Sequence, residues 1–117
     1  MIINNGKEYV CLLDLAMDFV RGKWKSVLLC HLSSGPKRFL ELTRLTPGVS
    51  QKVLTENLKE LEKDNLITKV IYPEVPPRVE YSLTPMGKDL TCAIKEIEKW
   101  SYKYFSHLTT QESINKN

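Results

Sequence analysis

The chain of 117 residues is short of several things, and each shortage excludes something. It has no apolar run near the roughly 20 residues that a membrane-spanning helix needs, so no membrane partner is expected. Its start, MIINNGKEYV, lacks the apolar core of a secretory signal, and a cytoplasmic location is the expectation. Cysteine is scarce: three residues, at positions 11, 30 and 92, are too widely spaced for a zinc site or a disulfide framework. They are expected to be thiols in a reducing compartment. His31 and His107 stand apart without acidic or cysteine neighbours at ligand spacing, so no metal and no cofactor are expected. No nucleophile–base pair or phosphate loop can be assembled, which argues against an enzyme. There is no internal repeat, no low-complexity tract and no Gly/Ser linker, so a single domain is expected. One-sided charge is lacking too. The net charge is only +3, so the placement of the charges, not their sum, must decide whether nucleic acid is a partner.

What is present is a run of amphipathic patterns. CLLDLAMDFVRG places Leu12, Ala16, Phe19 and Val20 on one helical face, with Gly22 as a stop. KWKSVLLCHL follows, with Trp24, Val27, Leu28 and Leu32 at helical spacing, and Ser33-Ser34-Gly35-Pro36 breaks it. RFLELTRL forms a short third helix carrying Phe39, Leu42 and Leu45, ended by Thr46-Pro47-Gly48. Only a few residues separate it from the next helix, which is helix-turn-helix spacing. Ser50 is a good N-cap for that fourth helix, and Leu54, Leu58 and Leu61 make its buried stripe. Asn65 can take the left-handed conformation that closes it. Two alternating runs, residues 66–72 and 79–84, then read as strands joined by a loop stiffened by Pro73, Pro76 and Pro77. Thr84-Pro85 opens a last helix, expected to run to about Leu108 with a frayed tail beyond. The expected fold is mainly α with a small β-hairpin: a winged helix-turn-helix with N- and C-terminal dimerisation helices. The DNA-binding core would span about 23–84, with helices about 11–21 and 85–108 for dimerisation.

A polar-faced helix followed at once by a hairpin with a basic turn suits double-stranded DNA, since a helix fits the major groove and the hairpin reaches neighbouring backbone or minor groove. With the leucines inward, Lys52, Thr55, Glu56, Lys59 and Lys63 face outward, with Gln51 beside them at the start. Residues near the N-terminus of such a helix reach base edges. Gln51 is a candidate for adenine, Lys52 for guanine or phosphate, and Thr55 for a base or a thymine methyl. Ser50 and the first-turn amides suit a phosphate. Glu56 either accepts from cytosine or, the preferred reading, pairs with Lys52 or Lys59. Lys59 is a backbone candidate. Arg78 is read either as a wing arginine in a minor groove or as a rim residue paired to Glu74 or Glu80. Lys23 and Lys25 at the start of the second helix, and Lys37 and Arg38 at the start of the third, are candidates for phosphates, which give affinity but no sequence information. A mixed Lys/Glu helix face by itself is more often simply solvated; the short helix and tight turn before it, and the hairpin after it, shift the balance toward DNA. The competing reading is a protein-interaction module of winged-helix shape without site-specific DNA binding.

The order GKWKSVLLCHL, GPKRF-x-EL, PG-x-SQK-x-LT-x-x-L-x-ELE and YPEVPPRVEYSLTPMGK resembles the HxlR-type bacterial transcription regulators over roughly residues 11–105. The resemblance implies a homodimeric winged-helix regulator whose helix from Ser50 reads a pseudo-palindromic operator. It also makes Cys11 a candidate sensor, since members often carry a cysteine just before the first helix and some use it to detect electrophiles, quinones or disulfide stress; the alternative is a partly buried small hydrophobe. The chain departs from the common pattern at Leu12, where proline often follows that cysteine, at Arg21, and at Asn65, each in place of a frequent glycine. From the residues alone, Cys11 sits at a helix N-terminus, which favours a thiolate, while Asp14 opposes it. Cys30 is expected in the core, and Cys92 at a dimer interface or in solvent. Trp100, Tyr102, Tyr104 and Phe105 form an aromatic cluster for a dimer contact, the preferred reading, for a small aromatic-ligand pocket, or for simple packing against the first helix. A small-molecule effector is left unidentified.

Overall fold

The computed structural model of the chain describes the backbone of residues 1–116 and the side chains of residues 1–108. It begins with an element the patterns above did not include. Strands β1 (Ile2–Asn4) and β2 (Lys7–Tyr9) form a hairpin. Asn5 and Gly6 turn it, with φ of 50° and 77°. Two consecutive positive φ values are what a two-residue primed turn demands, and Asn-Gly is the pair that supplies them most readily. Tyr9 at the end of β2 is buried, and its hydroxyl donates to Asp18 Oδ2 at 2.6 Å.

Helices α1 (Leu12–Phe19), α2 (Lys25–Leu32), α3 (Phe39–Leu45) and α4 (Gln51–Lys63) follow. The expected face holds for α4; in α2 and α3 it holds in part, since Val27 and Leu45, expected inward, are exposed, and Leu29, not expected there, is buried. Leu28, Leu29 and Leu32 of α2, Leu42 of α3, and Leu54, Leu58 and Leu61 of α4 join Leu66 and Ile67 in one core, each at most 2% exposed. Burying a leucine in this way is worth about 1.5–3 kcal/mol apiece, which is why the helix triangle closes on these residues. Helix α1 differs from its expected pattern. Phe19 and Val20 pack on the core, but Leu12, Leu13 and Met17 are exposed and α1 has no buried residue. Cys30, expected in the core, is half-buried, and burial pushes its thiol pKa up.

Helix α4 has capping at both ends. Val53 N–H donates to Ser50 Oγ at 3.1 Å. At the other end Asn65 takes φ 61°, Leu66 N–H reaches Leu61 O, and Asn65 N–H reaches Glu62 O, each at 3.0 Å. These two bonds, with buried Leu66 against Leu61, are the Schellman arrangement. Asparagine therefore does here what glycine does elsewhere.

Strands β4 (Ile67–Tyr72) and β5 (Arg78–Leu83) pair antiparallel from Ile67↔Leu83 to Tyr72↔Arg78. A two-residue strand β3 (Lys37–Arg38) joins the other edge of β5, giving the order β3-β5-β4. Lys37 and Arg38 are thus strand residues ahead of α3, not its first turn. Helix α5 (Pro85–Lys116) runs past the expected end near Leu108, so the backbone expected to fray is helical as far as Lys116; Asn117 lies outside the described residues. Its start is tightly held. Thr84 Oγ1 accepts from Gly87 N–H at 2.9 Å and donates to Asn65 O at 2.7 Å, while Thr84 N–H donates to Leu66 O at 3.0 Å. Gly87 lies so close to this corner that a Cβ would stand 2.0 Å from Leu66 O.

Candidate nucleic-acid interface

At 100° per residue, burying Leu54, Leu58 and Leu61 turns Lys52, Glu56, Lys59 and Lys63 directly outward. All four are exposed, as is Gln51. Among the described residues none of the three lysines makes an ion pair or hydrogen bond, so their charges are free for phosphate. Glu56 also lacks an ion pair among the described residues, so the preferred intrahelical bridge to Lys52 or Lys59 does not form. Thr55 sits on the flank, half-buried, in a small cleft between α4 and the sheet that it shares with Lys59, Lys69 and Tyr81. Lys69, exposed on β4, is a basic group the sequence patterns passed over; its alternation in a strand beside the reading helix was the signal.

Two expected contacts are corrected. Lys25 does not offer its ammonium to a phosphate. Its side chain is 11% exposed, and its Nζ pairs with Glu60 Oε2 on α4. The stem belongs to the core, and the charge neutralises an acidic residue of the reading helix. Arg78 takes the rim-pairing reading. Its Nε lies 3.0 Å from Glu74 Oε2 and 3.3 Å from Glu80 Oε1, and its guanidinium stacks 4.0 Å from the Tyr72 ring centre. That Nε is buried with no in-line hydrogen bond, so attraction to the two carboxylates is Coulombic rather than a directed bond. Arg78 thus fastens the base of the wing loop.

The remaining candidates lie in three states. Lys37 Nζ donates to Ser34 Oγ at 3.0 Å and to Gly35 O at 3.4 Å, so it braces the turn before β3. Arg38 is exposed; its backbone N–H donates to Glu41 Oε1 at 3.0 Å, which fixes the start of α3. Lys23 precedes α2, exposed, 5.3 Å above the Trp24 ring.

Cys11 is the N-cap residue of α1 and is exposed; Cys92 is exposed as well. Asp14, one turn along from Cys11, turns its carboxylate back to accept from Val10 N–H at 2.9 Å, which keeps an acidic group beside that thiol. Among the described residues no cluster of His, Cys, Asp or Glu has the makings of a metal site, and no helix is long and apolar enough to cross a membrane.

A short helix, a tight turn, a capped polar-faced helix and a three-stranded sheet with a proline-rich loop define a winged helix-turn-helix. The family model of the HxlR-like helix-turn-helix matches residues 19–109, and the chain belongs to that family. An uncharacterised HTH-type transcriptional regulator of Methanothermobacter thermautotrophicus is 45% identical over 100 residues, 86% of this chain and 76% of that one. The structure of the redox regulator HypR in its reduced form is 36% identical at a TM-score of 0.79, covering 86% of this chain and 99% of that one. The reduced form of the transcriptional regulator YodB from Bacillus subtilis is 33% identical at a TM-score of 0.73, covering 84% and 96%. The chain is accordingly a transcriptional regulator of the helix-turn-helix class, a family of regulators rather than enzymes, and DNA binding follows from membership.

Proposed function

We propose that the protein is a homodimeric, sequence-specific regulator that lays α4 in the major groove of each half-site of a pseudo-palindromic operator. Ser50 and the first-turn amides take a phosphate, Gln51, Lys52 and Thr55 meet base edges, and Lys59 meets backbone. The wing from β4 to β5 lies on the adjacent backbone or minor groove, with Lys69 as its free cation, and Lys23 and Arg38 add phosphate contacts. The core of about 23–84 does the reading, while α1 and α5 pair with a second copy. The observation that carries this reading is the solvent face of α4, where Lys52, Lys59 and Lys63 are all without a partner among the described residues. Exposure of Cys11 at the start of α1, and the redox regulators among the similar structures, support a thiol switch at that residue.

The test is fluorescence anisotropy on DNA from upstream of the protein's own gene, reduced and after mild disulfide stress. Lys52→Ala or Thr55→Ala is expected to cost about 1–3 kcal/mol of specific binding for each lost base contact. Parental binding by both variants would sink the assignment of the reading face. Cys11→Ser is expected to bind alike in both conditions, whereas the parent changes; equal responses would remove the switch and leave the regulator.

A further inference from the structure

Away from the reading helix, a cavity of about 650 Å³ opens where the turn after α2, the end of β5 and the first turns of α5 meet. Its volume is that of a small-molecule site. Leu32, Pro36 and Leu83 supply apolar wall, and Lys88, Cys92 and Lys95 line it from α5. Several polar groups of the turn are already satisfied. Ser33 N–H and Oγ–H both donate to Cys30 O, Ser34 Oγ–H to His31 O, and Gly35 N–H to Leu32 O. The last three carbonyls of α2 therefore have their acceptors filled, and Lys37 braces the same turn.

What remains unspent is a pair of cations. Lys88 and Lys95 are two helical turns apart on one face of α5, about 10 Å along its axis, with Cys92 between them. Both are exposed, and among the described residues neither makes an ion pair or hydrogen bond. No acidic residue lines the cavity. An apolar wall beneath two free ammonium groups is complementary to one class of molecule, an apolar body with an anionic head.

We propose that this cavity binds a small amphipathic organic anion, its apolar body against Leu32, Pro36 and Leu83 and its anionic group between Lys88 and Lys95. Because β5 is the central strand of the wing sheet and α5 the helix that carries the aromatic cluster, occupancy of the cavity alters DNA affinity. That regulatory half rests on the reading of α4 and the wing as a DNA reader; the binding half does not.

The probe is 8-anilinonaphthalene-1-sulfonate, compared with uncharged N-phenyl-1-naphthylamine, on the full chain. Saturating sulfonate is expected to slow iodoacetamide alkylation of Cys92 and leave Cys11 unaffected, read by peptide mass spectrometry. Lys88→Gln/Lys95→Gln is expected to bind the sulfonate about tenfold more weakly, as fits two partly solvated charge-assisted contacts, and to bind the uncharged analogue unchanged. Both positions are exposed, and an unaltered thermal melt certifies the fold. Unprotected Cys92, or equal sulfonate binding by the double variant, overturns the site. The sulfonate is then expected to shift operator affinity in the parent and not in the double variant. Binding without that shift overturns the regulatory half, whereas absence of operator binding even without probe sinks the regulator reading and leaves the site standing.

Discussion

Lys25 is a residue whose charge acts at one remove from where it sits. Its stem fills space beside the core, and its ammonium cancels Glu60, an acidic side chain on the helix that would approach phosphate. Lys25→Met preserves the stem and leaves Glu60 unpaired. Operator affinity is then expected to fall by roughly 0.5–1 kcal/mol at low salt, less at high salt, because Glu60 is largely exposed and screened. Glu60→Gln should restore it, so a double-mutant cycle by anisotropy separates charge from structure; a loss that Glu60→Gln leaves in place would mark Lys25 as a packing residue only. By type and position Lys25 reads like its neighbour Lys23, and nothing local distinguishes a solvated lysine from one with a partner on another helix. Arg78 was legible in both its alternatives, because Glu74 and Glu80 stand close in sequence. Only the fold could choose between them.

Elements add a second layer, in which junctions matter more than the helices they join. Thr84 closes the first turn of α5 and ties it to Asn65, while Gly87 lets the helix touch the Leu66 backbone. Thr84→Ala is expected to cost about 1–2 kcal/mol in urea unfolding through the lost cap. Gly87→Ala should cost about 1–3 kcal/mol or more by forcing backbone apart, and an unchanged melt would refute the close approach. The N-terminal hairpin bears on α1 in the same manner. The Tyr9 hydroxyl first, and Lys7 second, hold the Asp18 carboxyl below its ordinary pKa of 3.8. A depressed carboxylate stabilises the fold above its unfolded pKa and loses that contribution as pH falls through the folded value. The stability gap between parent and Tyr9→Phe should therefore be widest near neutral pH and shrink below about pH 3.8; a gap constant with pH would exclude the linkage. The caps of α4 and the wing strands were legible because Ser50, Asn65 and the alternation of 66–72 act locally. The first hairpin was legible too, in Asn5-Gly6, but three-residue strands carry too little alternation to announce themselves. The cavity beside α5 was not, since Leu32, Leu83 and Cys92 meet only through tertiary packing.

At the scale of the molecule, the chain leaves much apolar surface uncovered. Leu12, Leu13 and Met17 of α1, and Ile97, Trp100, Tyr104, Phe105 and Leu108 of α5, are each about half exposed or more. The radius of gyration is 16.2 Å, against about 13 Å for a compact domain of this length, as a projecting helix requires. Apolar faces of this kind on a small chain mark an interface, and in the proposed homodimer a second copy would supply the matching one. Trp100→Glu should shift the protein from dimer to monomer in sedimentation at micromolar concentration and weaken operator binding through lost bivalency. A dimer that persists would put the interface elsewhere.

The corner formed by Thr84, Gly87 and Leu66 then acquires a different meaning. It welds the root of α5 to the end of α4, so in the proposed dimer each copy would act as a jaw and the pair as a caliper. In that pair the angle at which two α5 helices cross would set the gap between the reading helices, and that gap would have to match the pitch of the double helix. An operator of the wrong spacing would be refused by geometry alone, before any base was read.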